Sequence, residues 1–549
     1  MTERIIQARY ILLIAVLAAA SVSGQFEVSR FEPASPQQFA GYGRSLAAVG
    51  DIDMDGFSDL LVGAPTEDAG GFVDAGRVYA VSGGDGTQRF VLDSPNPQQS
   101  GTFGFTLAAA DLTGDGISDL LIGSQEAVDG LDGAGRVYAF NGSNGAPLYS
   151  VASPNPEQFG WFSRSLATIG DIDGDGISDW AAGCDESSGG IARAGRIYLL
   201  SGVDGSVLLT VNSPNPNENG LFGLVICNVG DVNGDGRSDL LCGTRESTPT
   251  ATQAGRAYLI SGADGAMLHQ LDTPHPENNG RFGWSVAAAG DVNNDGVIDW
   301  MVGSAEDTGG FVDAGRVYLF SGTDADLLAS LAAPAPFHGD GFGRSLSSAG
   351  DVDGDGHADL LIGAPMADAD GITDAGRVYL MSGATGLVMD SLFSPAPEFG
   401  GLFGFAVSGE WNSTASGTFD ALLSGYAEDV AGILDAGRIY RFRSTGVSPI
   451  FPAAIVPETI HLRQNYPNPF NPETHLEFGV GSAEWANLTV FDVLGRAVRT
   501  LVDEQVSAGR HVVRWDGRND AGRTVTSGTY FYRLTAGGAT VSKRMLLMR

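Results

Sequence analysis

Oxygen-bearing side chains recur along this chain at a spacing that suits a hard metal ion. The segment beginning at Asp51 reads DIDMDGFSD, with acids at positions 1, 3, 5 and 9 and glycine at position 6. Asp51, Asp53, Asp55 and Asp59 are followed by Asp111, Thr113, Asp115 and Asp119, then by Asp171, Asp173, Asp175 and Asp179. Three more sets complete the series: Asp231, Asn233, Asp235 and Asp239; Asp291, Asn293, Asp295 and Asp299; and Asp351, Asp353, Asp355 and Asp359. Donors at alternate positions, folded back by a glycine, are what a calcium ion seeking six to eight oxygens requires. Position 7 would add a backbone carbonyl, from Phe57, Ile117, Ile177, Arg237, Val297 and His357. Loops one, three and six carry four aspartates each, while Asn233 and Asn293 substitute a neutral oxygen and Thr113 is a poorer ligand. A seventh segment offers Asn412, Thr414, Ser416 and Asp420, a single carboxylate, and is expected to stay empty. One such loop is easily an ordinary solvated turn; six in register point to metal.

Charge strengthens that reading. Twenty-one aspartates sit in six short loops, and like charges a few ångströms apart cost on the order of kcal/mol even at an effective dielectric near 20. The formal net charge is −35. Residues from 456 onward hold 11 basic and 9 acidic side chains, so the first 455 carry −37; six calcium ions would bring them to −25. Without a cation the hairpins are expected to splay. About six structural Ca2+ ions, stabilising the folded form by mass action, are therefore the expected cofactor. So anionic a surface repels phosphate backbones and excludes nucleic acid as a partner.

The elements that must hold these loops repeat with them. The first aspartates fall 60 residues apart, and AGRVY or a close variant keeps the same beat at Ala75, Ala134, Ala194, Ala254, Ala314, Ala375 and Ala436. A pair FG or YG precedes each acidic loop, replaced once by FS at Phe162. Within one copy SLAAVG reads as a short strand, DLLVGAP as a strand buried on both faces, GRVYAVSG as an alternating strand, and VLLTVNS as a weaker fourth. Four strands in seven copies define an all-β chain headed by a seven-bladed β-propeller. The seventh copy stops after its third strand. Phe26–Phe31 aligns with the fourth-strand region when Phe31 is set on Leu331, so the N-terminus is expected to close the last blade and remove its open edge.

The motif FG…GDxNGDGxxDLxxGAP…GxVY resembles the FG-GAP repeats of the integrin α-subunit head and its bacterial relatives, over roughly residues 26–443. The resemblance implies calcium held in β-hairpin loops. The acidic loop also opens like an EF-hand loop, but it closes with a carboxylate at position 9 and is flanked by strands. By the same resemblance ligand contacts would gather on the face opposite the metal. Candidates there are Glu67, Asp68, Phe72, Glu306, Asp307, Phe311, Asp368, Asp370 and Glu428, with Trp161 and Trp284 as possible platforms for sugar rings.

Two further segments frame the repeats. Arg4 and Arg9, the apolar run 11–20 and the small residues of SVSG have the layout of a secretory signal peptide, residues 1–24, with no transmembrane segment in the mature chain. Residues 25–443 form the propeller, 444–456 a Pro-rich linker, and 457–549 a small C-terminal Ig-like β-sandwich with Phe491, Val493, Val513, Trp515, Tyr530, Tyr532 and Leu534 expected in its core. That last segment resembles the C-terminal sorting domain of type IX secretion cargo, itself similar to the Ig-like domain of flagellar hook-capping proteins. The resemblance implies outer-membrane secretion machinery as a partner, and release from or display on a bacterial cell surface. Cys227 and Cys242 flank one acidic loop and are placed to face each other across a hairpin. No nucleophile elbow, HExxH pattern or phosphate-cradling loop is present, so the chain reads as no enzyme. The expected role is adhesion or binding of an extracellular protein or glycan ligand. A structural surface-layer component and an extracellular polysaccharide-acting enzyme are the alternatives.

Overall fold

The structure, a computed structural model, describes residues 26–369, 371–409, 419–444, 461–462, 470–480, 484–493, 496–506, 509–536 and 539–548. The chain divides into two compact units, residues 1–447 and 448–549. The expected leader over 1–24 and most of the linker lie outside the described residues.

The first unit contains seven four-stranded antiparallel sheets. In blade one the strands are Ser45–Gly50, Asp59–Ala64, Arg77–Val81 and Gln88–Asp93, hydrogen-bonded in that order. Its second strand is buried along all six residues, as are those of blades two, three, five, six and seven, because sheets of neighbouring blades cover both faces. The outermost strand alternates and is largely exposed. Innermost strands touch one another in cyclic order around the ring, Phe403–Ser408 of blade seven meeting Ser45–Gly50 of blade one, so the ring is closed. They crowd near an axis, which explains their small residues, SLAAVG and TLAAA.

Two glycines show why the repeat needs its sequence. A Cβ on Gly63 would fall 2.3 Å from the Gly104 carbonyl oxygen of the next blade. One on Gly76 (φ +84) would fall 2.2 Å from that of Phe103, to which Gly76 is bridged in parallel. The backbones of adjacent blades therefore meet through these positions, and any side chain would force them apart.

Closure by the N-terminus occurs in the expected register. Phe26–Phe31 pairs antiparallel with Arg438–Ser444, and Phe31 lies opposite Ile439 as Leu331 lies opposite Val317 in blade five. The register also answers whether Cys227 and Cys242 can pair. Cys227 lies opposite Leu241 while Cys242 lies opposite Ile226, so the two thiols point to opposite faces of the sheet, and all three cysteines are free.

The second unit packs a three-stranded and a four-stranded sheet around one core. Trp515, Tyr530, Tyr532 and Leu534 are in that core and Val513 packs against it. Phe491 and Val493 are not. On Glu484–Phe491 the inward side chains are Ala486, Leu488 and Val490, one residue out of phase with the expectation, and Val493 is 65% exposed. A one-residue phase error exchanges the two faces of a strand.

Candidate functional site

Each acidic loop joins the innermost strand to the second. Asp51 accepts the amides of Asp55 (3.0 Å) and Gly56 (2.9 Å) on its two oxygens, and Asp55 accepts that of Phe57 (2.8 Å). The same pattern recurs at Asp111, Asp171, Asp231, Asp291 and Asp351, each accepting the amide of the position-6 glycine at 2.8–2.9 Å. The expectation that carboxylate repulsion alone would splay these hairpins overlooked the donors: several N–H groups converge on each first aspartate and offset part of its charge.

Position 9 plays a second role. Asp59 is fully buried; Oδ2 accepts the Ile52 amide (3.0 Å) and Oδ1 the Gly83 amide (2.9 Å), so it ties the loop to the turn between the third and outermost strands. Asp119, Asp179, Asp239, Asp299 and Asp359 make the equivalent pair of bonds. Burial pushes all six carboxyls up, Asp59 to about 6 and Asp359 to about 7. Both turns thus share one face, and side chains link them: Ser82 Oγ donates to Asp55 Oδ2 (3.2 Å) and Thr323 Oγ1 to Asp295 Oδ2 (2.9 Å).

In three loops the carboxylates converge enough to test the fit of an ion. One oxygen from each of Asp51, Asp53 and Asp59 lies within 4.8 Å of the others; the same holds for Asp171, Asp173 and Asp179, and for Asp351, Asp353 and Asp355. Two ligands at a calcium–oxygen distance of about 2.4 Å are at most about 4.8 Å apart, so the donor sets fit that ion. These are the three loops with four aspartates. Asp53 also receives Arg89 at 3.2 Å. In the seventh loop Asn412, Thr414 and Ser416 lie outside the described residues. Asp420 is clamped by Arg441 (2.6 Å) and Arg443 (3.1 Å).

The opposite face departs from expectation. Glu67, Glu306 and Glu428 are buried. Each accepts the hydroxyl of the tyrosine twelve residues later: Tyr79 (2.8 Å), Tyr318 (2.5 Å) and Tyr440 (2.6 Å). Glu126, Glu186 and Glu246 do the same with Tyr138, Tyr198 and Tyr258. Polar side chains from the preceding blade reach the same carboxylates, as Asn96 reaches Glu126 (3.2 Å) and Ser213 reaches Glu246 (3.1 Å). These glutamates are struts between blades. Their twelve-residue spacing to AGRVY was visible in the sequence. Asp68, Asp307 and Asp368 are exposed, and each accepts the amide of the aspartate six residues on, so they shape their own loops. Phe72 is 42% exposed and Phe311 half-buried against Phe337 and His338, while Asp370 lies outside the described residues. Trp161 and Trp284 are not open platforms: Arg164 and Arg193 cover the first, and Arg344 stacks on the second at 5.1 Å.

What the sequence reading missed is an apolar rim. Phe39, Phe159, Phe337 and Phe399 project from the connectors leading into blades one, three, six and seven and are 50–79% exposed. Val73, Val312 and Leu434, from the loops between second and third strands, stand on the same face at about half exposure. Phe39 (φ +58) and Phe159 (φ +57) sit in left-handed backbone at a position that elsewhere is Ser100, Asn219, Asn279, Gly339 or Gly400. A bulky aromatic is disfavoured there, and each ring is only about half buried in return.

Comparison with known proteins agrees with this architecture. The FG-GAP repeat family matches residues 42–81, 103–140 and 342–381, an FG-GAP-like repeat matches 231–302, and the FlgD Ig-like domain matches 472–539. Integrin alpha-5 of Xenopus laevis is 30% identical over 42% of this chain and 22% of its own length. Integrin alpha-IIb of Homo sapiens is 32% identical over 44% and 23%, and the phosphatidylinositol-glycan-specific phospholipase D of Bos taurus 30% over 37% and 26%. The chain thus spans about a quarter or less of each of these relatives. Its first unit is an FG-GAP β-propeller and its second carries a FlgD Ig-like domain.

Proposed function

We propose that this chain is a calcium-stabilised, non-enzymatic propeller that binds an extracellular partner on the face opposite its acidic loops. The observation that carries the reading is the rim of exposed Phe39, Phe159, Phe337 and Phe399, an apolar surface kept in solvent on one face. Two of these rings occupy left-handed backbone that favours Asn or Gly, at a local cost, and keep about half of their surface in solvent. Calcium supports the opposite face: it neutralises each loop and cross-links two turns of one blade. The carboxylates most suggestive of catalysis, the buried glutamates, are consumed as struts, which favours binding over turnover.

The C-terminal module is the address in this reading, a type IX-like sorting domain that leads the exported chain through secretion machinery to the bacterial outer-membrane exterior or beyond it. Calcium is held by the six sets from Asp51–Asp59 to Asp351–Asp359.

The full chain is to be tested, with calcium, for binding to cell-surface and matrix protein arrays and to glycan arrays. Wild-type protein is expected to retain a partner that Phe39→Asn and Phe159→Asn lose, while both variants melt no lower than wild type. Equal retention by wild type and both variants would refute the rim as the binding surface.

A further inference from the structure

The residue that follows each FG pair immediately precedes the innermost strand, or in blade seven lies within it, at the end farthest from the acidic loops. Around the ring these residues are Arg44, Phe105, Arg164, Leu224, Trp284, Arg344 and Phe405. They touch across blade boundaries. Arg44 stacks on Phe105 (4.7 Å) and on Phe405 (5.3 Å), Arg344 on Phe405 (4.9 Å) and Trp284 (5.1 Å), and Arg164 lies 6.0 Å from Phe105. The circuit is broken only on the two sides of Leu224.

Aromatic faces hold a guanidinium in place without neutralising it. Among the described residues Arg44, Arg164 and Arg344 have no carboxylate within ion-pair distance, in a chain with 66 acidic and 31 basic residues. More cations surround them. Arg245 feels Arg281, Arg164 and Arg193 as like charges, and Arg344 feels Arg44, Arg164 and Arg245. Burial lowers the Arg44, Arg164 and Arg245 guanidiniums and brings Arg344 down to about 10. The Nε atoms of Arg245 and Arg281 are buried without a hydrogen-bond partner. One carboxylate faces this group, Asp185: its Oδ2 is held by Arg193 at 2.8 Å, its Oδ1 is buried without a hydrogen-bond partner, and its single charge offsets part of that of Arg164 and Arg245. Partly buried like charges without counter-charge destabilise the fold that holds them.

We propose that this axial arginine ring is the seat for an oxyanion, a carboxylate or sulfate group, presented by the partner that docks on the apolar rim. The guanidinium fork matches the geometry of either group and offers paired donors to it. The exposed phenylalanines lie on the connectors that lead to these residues, on the same side of the ring. The inference rests on the binding reading for its purpose, but the seat itself is testable without knowing the partner.

The full chain, saturated with calcium, is melted in chloride, acetate and sulfate at equal ionic strength. Acetate or sulfate is expected to raise the melting temperature by about 2 °C or more over chloride. Arg44→Met and Arg344→Met are expected to melt no lower than wild type in chloride, since a repelling charge is removed, and to lose the anion-dependent rise. A rise with acetate alone assigns the seat to an acidic protein group, and one with sulfate assigns it to a sulfated ligand. No rise in either anion, or a rise kept by both variants, overturns the proposal. So do variants that melt well below wild type in chloride, because the ring is then a structural plug. Array binding lost on Phe39→Asn with no anion effect would sink the seat and leave the rim standing.

Discussion

Blades one to six and blade seven solve the same problem differently. Every blade buries an aspartate at the start of its second strand: Asp59, Asp119, Asp179, Asp239, Asp299, Asp359 and Asp420. In the first six, two backbone amides hold it, one from the acidic loop and one from the turn beyond the third strand. Blade seven has no such turn, because its outermost strand comes from the N-terminus. There Arg441 and Arg443 clamp Asp420, and Arg441 also donates to the Gly83 carbonyl of blade one at 2.6 Å. Position 441 corresponds to Ala80 and Leu319, buried apolar residues in other blades. Where the chain cannot offer a second amide, it supplies its own cation. Under the calcium proposal the contrast separates an external ion, which is removable, from a covalently attached cation, which is not.

Removing calcium is the largest test of that contrast. At a tenfold excess over Kd one ion contributes about 1.4 kcal/mol, and six together roughly 8 kcal/mol. Chelation is expected to lower the calorimetric melting temperature by roughly 10 °C, and an unchanged melt would break the calcium reading. Next in size is Arg441→Leu, which leaves a buried carboxylate short of its main partner, at a cost of about 3–5 kcal/mol. Because that cation is internal, the loss is expected to be equal with and without chelator; a loss that calcium reverses would erase the distinction between the blades.

Glu428 sharpens the comparison from the opposite face. Burial raises its carboxyl to about 7, above its unfolded value near 4.3. The folded chain therefore holds this proton more tightly than the unfolded one. The resulting stability is present below the unfolded value and is lost as pH rises toward 7. Glu428→Gln should flatten the fall in melting temperature between pH 4.5 and 7.5, by roughly 1–3 kcal/mol. An identical pH slope in the variant would count against that assignment. The smallest effect belongs to Phe39→Asn, which gives blade one the residue that blades four and five already use. It is expected to stabilise by about 0.5–1 kcal/mol, read from the urea midpoint; a lower midpoint would mean that the ring supports the fold.

Much of this was legible before any coordinates. The sixty-residue beat, the four strands per copy and the register of Phe26–Phe31 follow from periodicity, because a repeated local pattern can only stack one way around a closed ring. The acidic loops and their glycine turns were legible because their spacing is local. Errors arose where the deciding neighbour was distant in sequence. Glu67, Glu306 and Glu428 looked like exposed loop acids because nothing local reveals that the preceding blade reaches over them. Whether Cys227 and Cys242 pair stayed open in the sequence, because hairpin spacing hides the parity of the faces.

By itself, then, the order of residues determined what is periodic or short in range: blades, acidic turns, and the strand that seals the circle. The tertiary structure decided which charges are buried, which aromatics remain in water, and that Arg44, Arg164 and Arg344, separated by more than a hundred residues at each step, share one axis. The physical reason is that burial and like-charge proximity are set by neighbouring sheets, which only the closed ring brings together.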